Sequence, residues 1–554
     1  MKRLDPTGDL WWKNAVIYCL DVETYLDSDG DGVGDFRGLT RQVDYLAGLG
    51  VTCVWLMPFY PSPNRDDGYD ISDFLNVDPR LGTLGDFVDF VRTAGDRGIR
   101  VMLDLVVNHT SDEHPWFQQA RAARDSPRRS FYVWRDEPAD EPTSIAFPDK
   151  ETSNWELDEL SGQYYLHRFY RHQPDLNVAS EDVRDEITRI VGFWLALGVT
   201  GFRMDAVPFL LELEGIAQEA DGSPHGWLRD LRAFVGRRRG DAVLLGEVNT
   251  SLQDLARYFG DEDGDALNMQ FAFMLNQSLW LSLARQEAEP LESMIRSLPR
   301  VPHDNAWATF LRNHDELSLD KLTGPQREEV FAAFGPDKSM QMYGHGLRRR
   351  VATMLGGDGP RLRMAWSLML SLPGTPVLFM GDEIGMGEQL EIPDRYAVRV
   401  PMQWSSEPNG GFTSAPPEAM VRPQPDGAFG PRKVNVADQR RDPDSLLNHI
   451  ERLIRRRKET PELGWGESTL LETAAPSVFA HRCAWQGSTV VAVHNLSPRS
   501  VSTELPLGEG IAGVDDLLTT ARHRPRRDGT LAVELGGYGV LWLRVRRDGE
   551  RTLS

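Results

Sequence analysis

The sequence predicts a (β/α)8 barrel of the TIM type, with a small domain inserted after the third strand and a C-terminal antiparallel β-sandwich. Three observations carry that expectation. Short apolar runs alternate with helix-period segments in units of about 40 to 50 residues, the rhythm of a parallel sheet or barrel. Ionisable residues follow the ends of those runs, as at the catalytic face of a barrel. The rhythm then breaks twice, at residues 111–175 and again beyond residue 460.

Strands are expected at residues 15–20, 51–56, 100–107, 201–204, 242–246, 266–273, 307–311 and 376–380, each a short apolar run bounded by turn residues. Residues 39–49, 84–97 and 180–197 carry apolar side chains at helical spacing, and a helix at 443–458 ends the barrel. Residues 111–175 are rich in Asp, Arg, Pro, Ser and aromatics, without clean periodicity. So long an irregular insertion is uncommon unless it serves function, and it is expected to wall one side of a site. Runs at 478–485, 489–495, 502–506 and 539–545 alternate in the antiparallel manner. The expected division is therefore a barrel of 1–110 and 176–460, an insert of 111–175 and a β-domain of 461–554.

At 554 residues the chain is too long for one compact core. Its net charge of −22 argues against nucleic acid and anionic membrane surfaces as partners, and favours small neutral or cationic molecules. The three cysteines, Cys19, Cys53 and Cys483, are expected to be reduced, since the first two fall in predicted buried strands. Residues 1–6 lack the apolar run of a signal peptide, and no stretch approaches the roughly 18 apolar residues of a membrane span. A cytoplasmic monomer or homodimer without an organic cofactor is the expectation.

The first strand leads into an acidic loop. Asp27, Asp29, Asp31 and Asp35 stand at positions one, three, five and nine of a calcium-type loop, with Gly32 at six. Gly38 replaces the glutamate of position twelve, which excludes a helix–loop–helix sensor. A single structural Ca²⁺ or Mg²⁺, held by the four carboxylates and the Val33 carbonyl, is expected; a solvated acidic turn is the alternative.

Asp205, Glu247 and Asp315 follow strands four, five and seven, so all three can face one pocket. Arg203 precedes Asp205 by two residues, and the period of a strand points both to one side. An arginine there keeps a carboxylate ionised and oriented, as a nucleophile requires, although a structural ion pair reads the same way. Paired carboxyls are the usual machinery of glycoside cleavage: one attacks the sugar while the other, protonated, serves the leaving oxygen. His109 and His314 offer hydrogen-bond donors, or are buried structural histidines.

These residues carry a resemblance. Asp104-Leu105-Val106-Val107-Asn108-His109, Gly201-Phe202-Arg203-Met204-Asp205, Gly246-Glu247-Val248 and Asn313-His314-Asp315 resemble, in order, the motifs of the α-amylase family of glycoside hydrolases, glycoside hydrolase family 13. The likeness spans essentially the whole chain. Gln173-Pro174-Asp175-Leu176-Asn177 is similar to a further motif of the oligo-1,6-glucosidase and α-glucosidase branch. Asp66-Asp67-Gly68-Tyr69-Asp70-Ile71 and Arg399-Val400-Pro401-Met402-Gln403-Trp404 resemble the trehalose synthase branch, which isomerises maltose. The resemblance implies Asp205 as nucleophile, Glu247 as acid/base and Asp315 as the carboxylate gripping two sugar hydroxyls. It implies Arg203, His109, His314 and Arg399 in the glucose subsite, closed by Asp66 and Tyr69 into a blind pocket. Ala206, small beside the nucleophile, implies α-1,4 or α,α-1,1 bonds. Two stretches depart from the trehalose synthase pattern. Phe271-Ala272-Phe273-Met274 stands where that branch carries Phe-His-Phe-Pro, and residues 388–398 lack its Tyr-Leu-Gly-Asp-Arg form. Ala272 is therefore expected to remove a hydroxyl partner of the acceptor and let hydrolysis or transfer compete with isomerisation.

Two other classes remain as alternatives. A catalytically dead scaffold relative is disfavoured because all three carboxylates are kept. A metal-dependent barrel is disfavoured because no histidine–carboxylate cluster has ligand spacing.

Overall fold

A computed structural model describes residues 10–138, 145–147, 149–211, 225–261 and 264–547. Residues 1–6, read above for a signal peptide, and residues 139–144 and 148 of the insert lie outside the described residues.

Eight parallel strands form a closed barrel: β1 Ile17–Leu20, β2 Cys53–Leu56, β3 Arg100–Leu105, β4 Gly201–Met204, β5 Val243–Gly246, β6 Met269–Phe271, β7 Ala306–Thr309 and β8 Thr375–Phe379. They pair in chain order, and β8 closes on β1 with Ile17 opposite Val377. Helices cover the outside, so the strands are buried on both faces and read as unbroken apolar runs. Register fixes the site: Asp104 lies opposite Arg203, and Met204 opposite Gly246. Asp205 and Glu247 each follow that last pair by one residue, so two acids leave adjacent strands at one level.

The helix expected at 39–49 is two helices, Phe36–Arg41 and Val43–Leu49, broken at Gln42. It begins early because the Asp35 side chain caps it, accepting the Gly38 N–H. The sixth strand is shorter than its apolar run, because Phe273 already starts the helix Phe273–Arg285. A small sheet of two-residue strands, Leu317–Ser318, Gln341–Met342 and Gly346–Leu347, follows β7 and was not legible in the sequence.

Between β3 and β4, Trp134–Arg135, Gln163–Leu166 and Trp155–Asp158 form a three-stranded antiparallel sheet. It is tied to the barrel mouth by bridges from His109 to Asp175 and from Tyr132 to Leu176. Beyond the barrel, a six-stranded sheet and the pair Val501–Pro506 with Thr530–Leu535 enclose a separate apolar core that includes Val478, Val491, Val514 and Leu543. Its strands dock on the barrel helix Gly359–Ser371, where Trp542 Nε1 donates to Ser367 Oγ at 3.0 Å. All three cysteines are buried and unpaired. No described helix is long and apolar enough to cross a membrane.

Candidate active site

Arg203 of β4 is 1% exposed, and its guanidinium gathers three carboxylates. Nη1 lies 2.8 Å from Asp104 Oδ1 and also binds Asp205. Nη2 lies 2.8 Å from Glu247 Oε2, which accepts the Ala206 N–H at 2.9 Å as well. Burial pushes Glu247 up to about 7 against Arg203, and the Asp205 and Asp315 charges add to it. Burial likewise lifts Asp205 to about 6, with Arg203 opposing. Near neutral pH the pair therefore offers an ionised Asp205 beside a Glu247 that can still hold a proton.

Asp315 faces this pair from the end of β7. Its Oδ1 accepts from Arg395 Nη1 at 2.6 Å and Arg399 Nη2 at 2.7 Å, and its Oδ2 lies 3.2 Å from His314 Nε2. Burial opposes ionisation, yet His314, Arg395 and Arg399 together hold the carboxyl well below its usual range. Burial also drives His314 far toward its neutral form. The two guanidiniums thus supply the charge, while the neutral His314 turns its Nε2 to the Tyr69 hydroxyl at 2.6 Å.

These acids open into a cavity of about 500 Å³, walled in part by Asp66, Tyr69, His109, Asp205, Glu247 and Asp315. The sequence-expected residues divide here. Arg203, His314 and Arg399 do not line the cavity; they stand buried behind it and act on its wall. Tyr69 stacks on His314 at 5.7 Å and donates to Asp104 Oδ2 at 3.1 Å. His109 places Nε2 3.1 Å from the Tyr69 carbonyl, and burial depresses it to about 3, so it is neutral. Asp66 accepts from Gln173 Nε2 at 2.9 Å, and burial raises it to about 6.

Ala272, just past β6, is 3% exposed within the apolar core, and the next residue, Phe273, lines the cavity.

Three further charged residues escaped the sequence reading: Asp104, Asp67 and Arg395. Asp104 had a signal, being an acid that interrupts the apolar run of β3. Arg395 and Asp67 sit on loops, and only the fold brings them to Asp315 and Arg399.

In the acidic loop, Asp27, Asp29 and Asp35 each offer a carboxylate oxygen within 4.8 Å of the others. Asp31 is not among them, and its Oδ1 accepts the Val33 N–H at 2.8 Å. Asp29 is raised by burial and then by Asp31, Asp35 and Asp27, a repulsion that the Asp31 backbone N–H offsets only in part. An all-oxygen set of this kind suits a hard divalent cation.

The sequence and the fold match known proteins over nearly the whole of this chain. The α-amylase catalytic-domain model matches residues 21–334 and 337–466. A trehalose synthase of Thermus thermophilus is 42% identical over 542 residues, which is 97% of this chain but only 55% of that protein. The trehalose synthase/amylase TreS of Mycobacterium tuberculosis is 40% identical over 548 residues, covering 98% of this chain and 91% of its own. Among solved structures, a trehalulose synthase MutB variant superposes with a TM-score of 0.78 at 28% identity, over 97% of this chain and all of its own. With a closed barrel, three strand-end carboxylates around one cavity and this breadth of match, the chain belongs to the α-amylase family of glycoside hydrolases and transglycosylases.

Proposed function

We propose that this protein is a retaining α-glucosyl enzyme acting on small α-glucosides, with α-1,4 bonds preferred. It passes the glucosyl group to water or to a sugar acceptor. The observation that carries this reading is the Arg203 clamp, which sets an ionised Asp205 beside a proton-bearing Glu247 on one cavity wall. Asp205 attacks the anomeric carbon while Glu247 gives its proton to the departing oxygen, leaving a glucosyl ester on Asp205. Glu247, now a carboxylate, takes a proton from the incoming water or hydroxyl, which displaces Asp205 and restores the original stereochemistry. Asp315, fixed by two guanidiniums, grips ring hydroxyls most strongly as the ring distorts. Ala206 lies on the wall beside the nucleophile and leaves room there.

A second reading, isomerisation of maltose to trehalose, is favoured by the cover over the cavity. Phe147 of the insert lies under the Arg395 guanidinium at 5.0 Å and stacks on Tyr343 at 4.8 Å. Lys150 of the insert pairs with Asp394 at 2.9 Å. A cover of this kind retains released glucose and excludes water. Relatives named trehalose synthase point the same way, while Ala272, where that branch carries a histidine, favours the first reading.

We infer in addition that Asp27, Asp29 and Asp35 hold one structural Ca²⁺ or Mg²⁺. Incubation with maltose, with glucose and trehalose assayed separately, tests the main reading. Predominant trehalose selects isomerisation, and predominant glucose selects hydrolysis. If neither glucose nor trehalose forms, the proposal falls.

A further inference from the structure

Behind the cavity wall, buried charges run from Asp315 to the long loop after β8. Arg399 places Nη2 2.7 Å from Asp315 Oδ1 and Nη1 2.8 Å from Asp67 Oδ2, and its Nε donates to the His314 carbonyl at 2.9 Å. Asp67 binds Arg422 through its other oxygen. Arg422 Nη1 donates to the Arg399 carbonyl at 2.8 Å, and its Nη2 lies 2.7 Å from Glu23 Oε2. The side chains of Asp67 and Arg422 are 3% and 6% exposed, and neither residue lines the cavity.

The arrangement answers an electrostatic problem. Two guanidiniums, Arg395 and Arg399, converge on one oxygen of Asp315. One carboxylate cannot balance two like charges where water is excluded, and an unpaired buried charge is strongly unfavourable. Asp315 leaves one positive charge over, and two further carboxylates meet it: Asp66, 3.6 Å from Arg395, and Asp67, 2.8 Å from Arg399. Asp67 also has geometry to impose, since its two oxygens span two guanidiniums and set where the Arg399 fork points. The backbone is shaped for this. Asp67 has φ 53°, a left-handed conformation that Asp and Asn tolerate better than most residues. Gly68 follows at φ 87°, where a Cβ would lie 2.7 Å from the Pro58 carbonyl oxygen.

We propose that Asp67 is a positioning residue for the reaction: bridging Arg422 and Arg399, it holds Arg399 against Asp315 and so fixes the carboxylate that grips the sugar. This inference rests on the role given to Asp315 above.

Asp67→Asn is the test, because asparagine accepts the same backbone conformation and nearly the same volume while removing the charge. With maltose as substrate, kcat is expected to fall about 100-fold while KM changes less than about threefold, since the lost alignment acts on the transition state. Arg422→Gln is expected to show the same split, and Arg422→Lys, which keeps the charge, to recover part of the rate. A soluble, folded Asp67→Asn enzyme with kcat within about threefold of the parent overturns the inference. If Asp67→Asn does not fold, the Arg422 pair decides: kcat unchanged in Arg422→Gln overturns it, and a loss partly restored by lysine supports it. Asp315→Asn, measured in parallel, separates the two levels. Full activity there removes the role of Asp315 and the reading built on it. An inactive Asp315→Asn beside an active Asp67→Asn removes the positioning role alone.

Discussion

Glu247 rests on Arg203, with Oε2 2.8 Å from Nη2, while the same guanidinium holds Asp205. The acid and the nucleophile therefore share one counter-charge, and the Asp205 charge helps to keep the proton on Glu247.

Asp205→Asn and Glu247→Gln should each cut maltose turnover by about 10,000-fold or more, because each acid performs a step the other cannot. Thermal melts should show a folded barrel in both. Near-parent activity in either folded variant removes the assignment.

The pH profile of kcat/KM should be a narrow bell. Its acid limb reports Asp205, which must be ionised and is raised to about 6; its basic limb reports Glu247, which must be protonated and is raised to about 7. Asp104 is among the charges raising Asp205, after burial. Asp104→Asn should therefore ease its ionisation and move the acid limb to lower pH. An acid limb that stays put or moves upward contradicts this electrostatic picture.

Two histidines join the C-terminal sheet to the barrel helix: His494 Nε2 lies 3.0 Å from Ser367 Oγ, and His481 Nε2 lies 3.4 Å from Ser371 Oγ. Burial depresses His481 to about 4 and His494 to about 3, against a free value of 6.5. The unfolded chain then binds more protons across that window, so stability is full above pH 6.5 and drains as pH falls toward 3. Each pKa unit is worth about 1.4 kcal/mol, so the loss should be large enough to follow by denaturant melts. A His494→Gln variant should show a flatter decline between pH 6 and 4. An equal slope means the docking seam does not titrate.

Saturating Ca²⁺ should raise the melting temperature by mass action, and a chelator should lower it while leaving kcat of the surviving enzyme unchanged. Asp29→Asn should blunt the response, since Asp29 offers a ligand atom. No metal by elemental analysis, together with no shift on chelation, reduces the loop to a charged turn.

Phe147→Ala should raise the glucose-to-trehalose product ratio several-fold, because it removes the ring under Arg395 and opens the cover to water. Lys150→Ala should do less, since a pair with both side chains about one-third exposed is weak. An unchanged ratio in Phe147→Ala means that the insert does not govern the fate of the glucosyl ester.

The barrel was legible because its strands are apolar on both faces and end in carboxylates, so Asp205, Glu247 and Asp315 could be placed without coordinates. The charges around Asp315 were not. Asp67 and Arg422 are 355 residues apart, and no local periodicity links a turn after β2 to a loop after β8. Position 272 was legible only as a departure from a motif; in the fold Ala272 packs into the core and the next residue, Phe273, reaches the cavity. Periodicity also missed the break at Gln42, because the flanking helices share one apolar face while a cap at Asp35 resets where the first begins.

The pairing of Ile17 with Val377 has a consequence for how the protein is made. One edge of β1 has no partner until a strand some 360 positions later leaves the ribosome, roughly 20 to 70 seconds at ordinary elongation speeds. Throughout that interval the nascent chain carries an open, twisted half-barrel with unpaired amides and carbonyls along its rim. Closure of the barrel therefore waits for β8, and until then the free edge of β1 is a surface on which another strand can pair.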